Sequence, residues 1–169
     1  DIAEEIEREN KIINDLLALV KLDKSAANLN IESVNINLMI GAVFKRLKPL
    51  ANEKNIELIF ESQREVIAEV DEVKLSLAVM NLIENGIKYN REEDGWVSVS
   101  LDADHQFFTF EVKDSGIGIP EEDQKHIFER FYRVDKSHSR EIGGTGLGLA
   151  ITRSTVIKHR GSVKVSSQP

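Results

Sequence analysis

Beyond residue 30, apolar residues recur every three or four positions along four segments of the chain, which is the spacing of one helix face. The first segment keeps this spacing although Pro49 lies near its end. The second begins after Asp71, whose carboxylate is suited to cap the first free amides of a helix. The predicted helices span residues 35–55, 71–90, 121–131 and 147–158.

Alternation of apolar and polar residues predicts four strands in the same part of the chain. The second and third are separated by about four residues, so they should form an antiparallel hairpin. Helices mixed with such hairpins predict an α+β fold, a two-layer α/β sandwich with a mixed, mainly antiparallel sheet on one side. The predicted strands span residues 56–62, 96–102, 107–114 and 161–167.

The first 24 residues predict one charged amphipathic helix, interrupted at Glu9, that suits a helix bundle. Packing on its own domain is the alternative. The polar stretch "DKSAANLN" then predicts a connector. A chain that begins with Asp1 is expected to be a piece of a longer protein. The residues that approximate the a and d positions of a heptad are Ile2, Ile6, Ile13, Leu16 and Val20.

Composition narrows the function. The 169 residues, 41% hydrophobic and 30% charged, fit one soluble domain with room for an appendage. A net charge of -7 argues against a broad nucleic-acid surface, so any phosphate site must be local. The chain has no cysteine, which excludes disulfides and fits a reducing cytoplasm. No apolar run approaches the roughly 20 residues that span a bilayer, so no membrane contact is expected here.

The helix stretch "NLIENGIKYN" carries an unusual polar stripe. Asn81, Asn85 and Lys88 lie at i, i+4 and i+7, although asparagine is a mediocre helix former. A neutral amide oxygen is suited to hold Mg²⁺ beside a triphosphate, and a lysine one turn along is suited to a phosphate oxygen. Taken alone, such asparagines more often serve as caps or exposed residues.

The stretch "DSGIGIP" ends a predicted strand. Asp114 shares parity with Phe110 and Val112, so its carboxylate should point to the core face, where it needs a donor such as a purine amine. Gly116 and Gly118 would let backbone approach a ligand closely. An ordinary turn is the alternative.

Residues 114–144 form a long connection that predicts a functional lid. Its stretch "IFERFYRVDKSHSR" combines aromatic anchors with arginines, as a cover for polyphosphate would, or as a solvated loop would. It leads to "GGTGLGLAIT", whose glycines precede a helix and suit a phosphate cradle or a hinge. The spacing matches neither a P-loop nor a dinucleotide fold.

These four stretches, in this order, resemble the N, G1, F and G2 boxes of the ATP-binding domain of sensor histidine kinases of two-component signalling. The resemblance implies a Bergerat-type fold with a long ATP lid over residues 28–169. The stretch "IERENKIINDLLALVKLDKS" resembles the second helix of the dimerisation and phosphoacceptor domain, which implies that residues 1–27 are a partial dimerisation helix.

The resemblance also implies roles for individual residues. Asn85 matches the Mg²⁺ ligand, Asn81 faces the phosphates or the metal, and Arg133 matches the lid arginine near the γ-phosphate. Gly86 replaces the usual alanine and Asn90 the usual serine or threonine. The residues implied to bind ATP or ADP are Asn85, Lys88, Tyr89, Asp114, Gly116, Gly118, Gly144, Thr145, Gly146, Leu147 and Gly148.

The resemblance also implies the partners of this chain. The family's phosphoacceptor stretch has no match here, and the four histidines of the chain lie in a hairpin turn, the lid and a helix end. The implied acceptor is therefore a histidine-bearing dimerisation domain of the same protein, with a response regulator further on. The full-length protein is expected to be a homodimer, membrane-anchored, with this part in the cytoplasm.

Two other functions remain open at this point. One is a hydrolytic ATPase or clamp of the same fold, in which a glutamate precedes the metal-binding asparagine by four residues. This chain has Asn81 there, which favours transfer to a protein over hydrolysis. The other is a nucleotide-binding or scaffolding pseudokinase.

Overall fold

The computed structural model describes residues 29–129 and 148–167, together with five helical positions near the N-terminus. The remainder of the predicted bundle helix, Arg133 and the glycines before Gly148 lie outside the described residues. The chain divides into two compact units, one of residues 30–117 and one of residues 1–29 with 118–169. The described N-terminal positions are Ile2, Ala3, Ile6, Asn10 and Ile13.

The first unit contains five strands and two helices, and the second has two described helices besides the N-terminal helical positions. In chain order the elements are β1 (Glu32–Asn35), α1 (Ile36–Glu53), β2 (Ile56–Ser62), β3 (Ile67–Val70), α2 (Glu72–Lys88), β4 (Gly95–Ala103), β5 (Phe108–Asp114), α3 (Glu121–Gln124) and α4 (Gly148–Lys158).

Two sheets form in the first unit. The larger has the order β2-β4-β5, with β2 parallel to β4 and β4 antiparallel to β5, so the predicted hairpin is confirmed. The smaller is the antiparallel pair β1-β3. The pattern of the sequence did not predict these two strands, because four residues are too few to establish a period of two. The predicted α+β fold with a mixed, mainly antiparallel sheet is confirmed.

Both long helices begin at side-chain caps. Asn35 accepts a hydrogen bond from the backbone amide of Leu38 at 3.1 Å, and Asp71 accepts one from that of Lys74 at 3.1 Å. The predicted cap at Asp71 is thus confirmed, and the same side chain also accepts from the amide of Asn30 at 3.0 Å. These bonds satisfy amides that have no partner inside the helix.

The core of the first unit lies between the two helices and the three-stranded sheet. Helix α1 packs on β2 and α2, and α2 packs on β4 and β5. Ile40 of α1, Ile83 of α2 and Val97 of β4 are each 0% exposed. Full burial of such a side chain contributes about 1.5–3 kcal/mol, so this apolar layer fixes α2 against the strands.

Helix α3 is shorter than the helix predicted over residues 121–131. After Gln124 the backbone continues in turns, with bonds from the amide of His126 to the carbonyl of Asp123 and from Glu129 to His126. These bonds span three residues instead of the four of an α-helix, which explains the early end.

The prediction of a strand over residues 161–167 is wrong, because these residues are described and form no strand. The alternation of apolar and polar residues is still seen in their exposure, since Val163 and Val165 are half buried and Lys164 is exposed. Ser167 is held by the amide of Ile119, which donates to its hydroxyl at 2.8 Å. Alternation reports a half-buried extended segment, whereas a strand also needs a paired neighbour. In the described part of the chain, no helix is long and apolar enough to cross a membrane.

Candidate functional site

The polar stripe of α2 lies beside its buried face. Ile83 and Ile87 are 0% and 1% exposed, and Asn81, Asn85 and Lys88 are all half buried. Each residue advances about 100° around a helix, so positions separated by three or four residues stay on one side. The helix therefore presents two amides and one ammonium together, as the spacing predicts.

Lys88 is held by a partner that the sequence reasoning did not assign. Its Nζ lies 2.7 Å from Oε1 of Glu84, and the two side chains are only 18% and 24% exposed. A glutamate four residues before a lysine is the favourable order for such a pair. The spacing alone could have indicated it. The ammonium is thereby fixed at the C-terminal end of α2, next to the turn that carries Asn85.

Asp114 is the last residue of β5 and faces the same helix. It is the register partner of Val97, and the alternate residues Phe110 and Val112 pack against the core. A methyl group built on Gly86 of α2 would lie 3.6 Å from the Cβ of Asp114. The predicted parity is confirmed, and the chain folds so that Asp114 stands across from the last turns of α2.

The Asp114 carboxylate lies at the rim of this face and not fully inside it. The residue is exposed, and its Oδ1 accepts a hydrogen bond from the amide of Gly116 at 2.8 Å. Desolvation by the surrounding protein nevertheless raises the pKa of Asp114, and the bond from Gly116 partly opposes that rise. A carboxylate offers about four acceptor positions, so it can still accept bonds from a ligand.

Gly116 occupies a position without space for a side chain. A methyl group there would lie 2.5 Å from the carbonyl oxygen of Tyr89 and 2.7 Å from Oδ1 of Asp114. The same Tyr89 oxygen accepts the amide of Ile117 at 3.2 Å. The turn after β5 therefore packs on the C-terminal end of α2. This contact with the protein backbone requires glycine at position 116, whereas the sequence suggested that the glycine allows a ligand to approach.

Gly118 takes a φ of 77°, in the left-handed region that favours glycine. Gly148 begins α4, and its carbonyl accepts the hydroxyl of Thr152 at 3.0 Å. Both belong to the second unit. The site residues that lie outside the described residues are Arg133, Gly144, Thr145, Gly146 and Leu147.

Two further polar residues, Asn90 and Ser115, join the end of α2 to the end of β5. The hydroxyl of Ser115 donates to Oδ1 of Asn90 at 2.9 Å. In the sequence, Asn90 is distinguished only as a departure from the usual serine or threonine, and no pattern distinguishes Ser115. Their positions in the sequence could have indicated a role, because Asn90 follows Tyr89 and Ser115 follows Asp114, and both of these belong to the predicted site.

Residues 70–169 match the family model described as "Histidine kinase-, DNA gyrase B-, and HSP90-like ATPase". The model covers more than half of the chain and includes the described parts of both the α2 stripe and the Asp114 turn. The chain belongs to this family of ATPases.

Within this family, the chain is similar to sensor histidine kinases. It is 37% identical over 166 residues to the sensor histidine kinase WalK of Bacillus subtilis, covering 96% of this chain and 27% of WalK. The chain therefore spans about a quarter of the length of that relative. The resemblance to sensor histidine kinases is confirmed.

Solved structures of histidine kinases are also similar to this chain. The histidine kinase AdeS of Acinetobacter baumannii matches with a TM-score of 0.78 at 21% identity, over 96% of this chain and 74% of that one, and supports the fold. Full-length ShkA in complex with AMPPNP matches with a TM-score of 0.76 at 26% identity, over 93% of this chain and 33% of that one.

Proposed function

We propose that this chain binds ATP with Mg²⁺ and transfers the γ-phosphoryl group to a histidine on a dimerisation domain of the same protein, from which it passes to a response regulator. The observation that carries the proposal is the placement of Asp114 across from the last turns of α2, beside Gly86. One compact unit thus holds an acceptor for a purine amine and a stripe for metal and phosphate.

The adenine end of the site is assigned to Asp114. Its carboxylate accepts the exocyclic amine of adenine, a bond made stronger by the negative charge. The amide of Gly116 already holds one oxygen, which orients the group before a nucleotide arrives. The absence of a side chain at Gly116 keeps the carboxylate and the Tyr89 carbonyl in their places.

The phosphate end is assigned to the stripe of α2. Asn85 supplies an amide oxygen to Mg²⁺, which prefers oxygen ligands and is usually held by few protein groups plus the phosphates. When bound, Mg²⁺ neutralises charge on the phosphates. Asn81 faces the phosphates or the metal, and Tyr89 contacts the nucleotide. Lys88, whose Nζ lies 2.7 Å from Oε1 of Glu84, contributes positive charge to a phosphate oxygen.

The lid and the glycine-rich turn are assigned by family membership and resemblance. Arg133 approaches the γ-phosphate, and the glycine-rich segment up to Gly148 offers backbone amides to the phosphates. By the same resemblance Gly118 is assigned to the nucleotide, and its φ of 77° lies in the region that favours glycine. The protein's part in such a reaction is positioning and charge stabilisation.

Transfer to a protein is preferred to hydrolysis on two grounds. Asn81 stands where a hydrolase of this fold carries its glutamate, and an amide cannot take a proton from water. The nearest carboxylate on the same helix, Glu84, is paired with Lys88 at 2.7 Å. In the described helix, the last two turns of α2 therefore carry no carboxylate outside an ion pair.

The larger assembly follows the same proposal. Residues 1–27 supply one dimerisation helix and residues 28–169 the ATP-binding domain. The full-length protein is a membrane-anchored homodimer whose kinase part works in the cytoplasm. The relative WalK is named a sensor histidine kinase, and ShkA was solved with AMPPNP, which supports nucleotide binding by the matching part of this chain.

Thermal unfolding with and without Mg²⁺ and ADP tests the binding step. A ligand at 100 times its Kd adds about 2.7 kcal/mol of stability, so the wild-type chain should gain several degrees in Tm. Asn85→Ala should lose most of the magnesium-dependent part of that gain. Asn52→Ala, on an exposed position of α1, is the matched control and should keep it. An undiminished gain in Asn85→Ala would refute the metal assignment.

A further inference from the structure

We propose that Asn90 and Ser115 are positioning residues that hold Asp114 in register with α2 and thereby set the preference of the site for adenine. The inference rests on the proposed function, since it concerns how the purine end of the nucleotide site is built. It is carried by a hydrogen-bond network that connects α2, β4 and β5 inside one compact unit.

The carboxamide of Asn90 is fully used by this network. Its Nδ2 donates to the carbonyls of Gly86 and Trp96, each at 2.9 Å. Its Oδ1 accepts from the amide of Arg91 at 2.8 Å and from the hydroxyl of Ser115 at 2.9 Å. Two donors and two acceptor positions are the whole capacity of an amide side chain. The reverse orientation would set Oδ1 against two carbonyl oxygens, so the partners determine which way the amide points.

The hydroxyl of Ser115 has one proton and two available acceptors. Oδ1 of Asn90 lies at 2.9 Å and the carbonyl of Trp96 at 3.4 Å, so the proton goes to Asn90. The hydroxyl oxygen of Ser115 also accepts a hydrogen bond from the backbone amide of Trp96 at 2.8 Å. The amide of Ser115 in turn donates to the Trp96 carbonyl at 3.1 Å. Ser115 is thus fastened to β4 by its backbone and to α2 through Asn90.

Space for the Asn90 side chain is left by a glycine. A methyl group on Gly95 would lie 2.7 Å from Oδ1 of Asn90 and 2.5 Å from Cδ1 of Ile56. Gly95 is buried at the start of β4, next to Trp96. Because the backbone of Gly95 lies this close to the Asn90 carboxamide, the Asn90 side chain has little room to change its position.

The network controls Asp114 because Ser115 follows it directly. The turn is clamped to α2 at two points, by Ser115 on Asn90 and by the amide of Ile117 on the Tyr89 carbonyl. Among the described residues, the bond that orients the Asp114 carboxylate is the local one from the Gly116 amide. Loss of the bond between Ser115 and Asn90 lets the Asp114 carboxylate move relative to α2. A misplaced carboxylate lowers the preference for adenine over other bases more than it lowers the affinity for the rest of the nucleotide.

The test measures the Kd of Mg²⁺-ADP and Mg²⁺-IDP by calorimetry, because hypoxanthine lacks the exocyclic amine of adenine. Wild type should prefer ADP, and Asp114→Asn should remove the preference. Ser115→Ala and Asn90→Ser both remove the bond between the two side chains, and each should lower the ADP/IDP preference about three- to tenfold, the effect expected of that bond. Ser98→Ala, the same change on the face of β4 away from the core, should leave it unchanged.

Unfolding curves of the same variants separate positioning from stability. If Ser115→Ala and Asn90→Ser lower the Tm and weaken both nucleotides equally, with the ADP/IDP ratio kept, the network is merely structural and the inference is overturned. If wild type prefers ADP through Asp114 but both network variants keep that preference, the inference alone fails. A wild-type chain that binds neither nucleotide overturns the proposed function as well.

Discussion

Replacing Gly116 by alanine tests the close seating of the Asp114 turn on α2. The added methyl group would lie 2.5 Å from the Tyr89 carbonyl oxygen, a backbone atom that cannot swing aside, and 2.7 Å from Oδ1 of Asp114. The φ of Gly116 is not in the left-handed region, so the clash is steric. The turn must lift away from the helix to relieve it.

The size of the effect follows from the bonds that such a shift breaks. These are the Ile117 amide to the Tyr89 carbonyl at 3.2 Å and the Gly116 amide to Asp114 at 2.8 Å. Each is worth about 0.5–1.5 kcal/mol net, and alanine recovers about 0.4–1 kcal/mol by restricting the unfolded chain. Gly116→Ala should therefore destabilise the protein by about 1–2 kcal/mol and weaken ADP binding.

Urea unfolding of Gly116→Ala and Gly41→Ala provides the comparison. No atom lies within 4 Å of a methyl group built on Gly41, an exposed position in α1, so that variant should gain about 1 kcal/mol of helix propensity. The same substitution is thus expected to have opposite signs at the two positions. A Gly116→Ala protein as stable as wild type, with unchanged ADP affinity, would refute the reasoning.

Two further predictions concern charge. Because burial raises the pKa of Asp114, the folded state binds its proton more tightly, so this group's contribution to stability falls as pH rises from the ordinary value of 3.8 through the raised one. Asp114→Asn should therefore gain stability relative to wild type as the pH rises from 3.8 through the raised pKa of Asp114; a Tm difference independent of pH would contradict the shift. Glu84→Gln should cost no more than about 0.5 kcal/mol of stability yet tighten Mg²⁺-ADP binding, because it removes the partner of Lys88 and a negative charge. Calorimetry showing weaker binding would instead make Glu84 necessary for placing Lys88.

Elements with long periodic patterns were predictable from the sequence. Helix α2 and its cap at Asp71, strand β2, and the β4-β5 hairpin all form as expected, since burial on one face dictates each pattern. Strands β1 and β3 were too short to show a period. The segment at residues 161–167 shows the opposite failure, because its alternation is present without a paired neighbour.

The site was predictable to the extent that it depends on spacing along one element. The stripe of Asn81, Asn85 and Lys88 and the parity of Asp114 are local properties, and both are found in the structure. The contacts between Asn90 and Ser115, 25 positions apart, depend on tertiary packing that no periodicity reports. The lid assignments, including Arg133, stay predictions.

The most direct test of the central claim is phosphoryl transfer to a separate protein. The chain is incubated with Mg²⁺, ATP labelled on its γ-phosphate, and the histidine-bearing dimerisation domain of the full-length protein, with Asn85→Ala as control. We expect acid-labile label on that domain, none on this chain, and little with the variant. Label on this chain, or release of inorganic phosphate with none on the domain, would contradict the account.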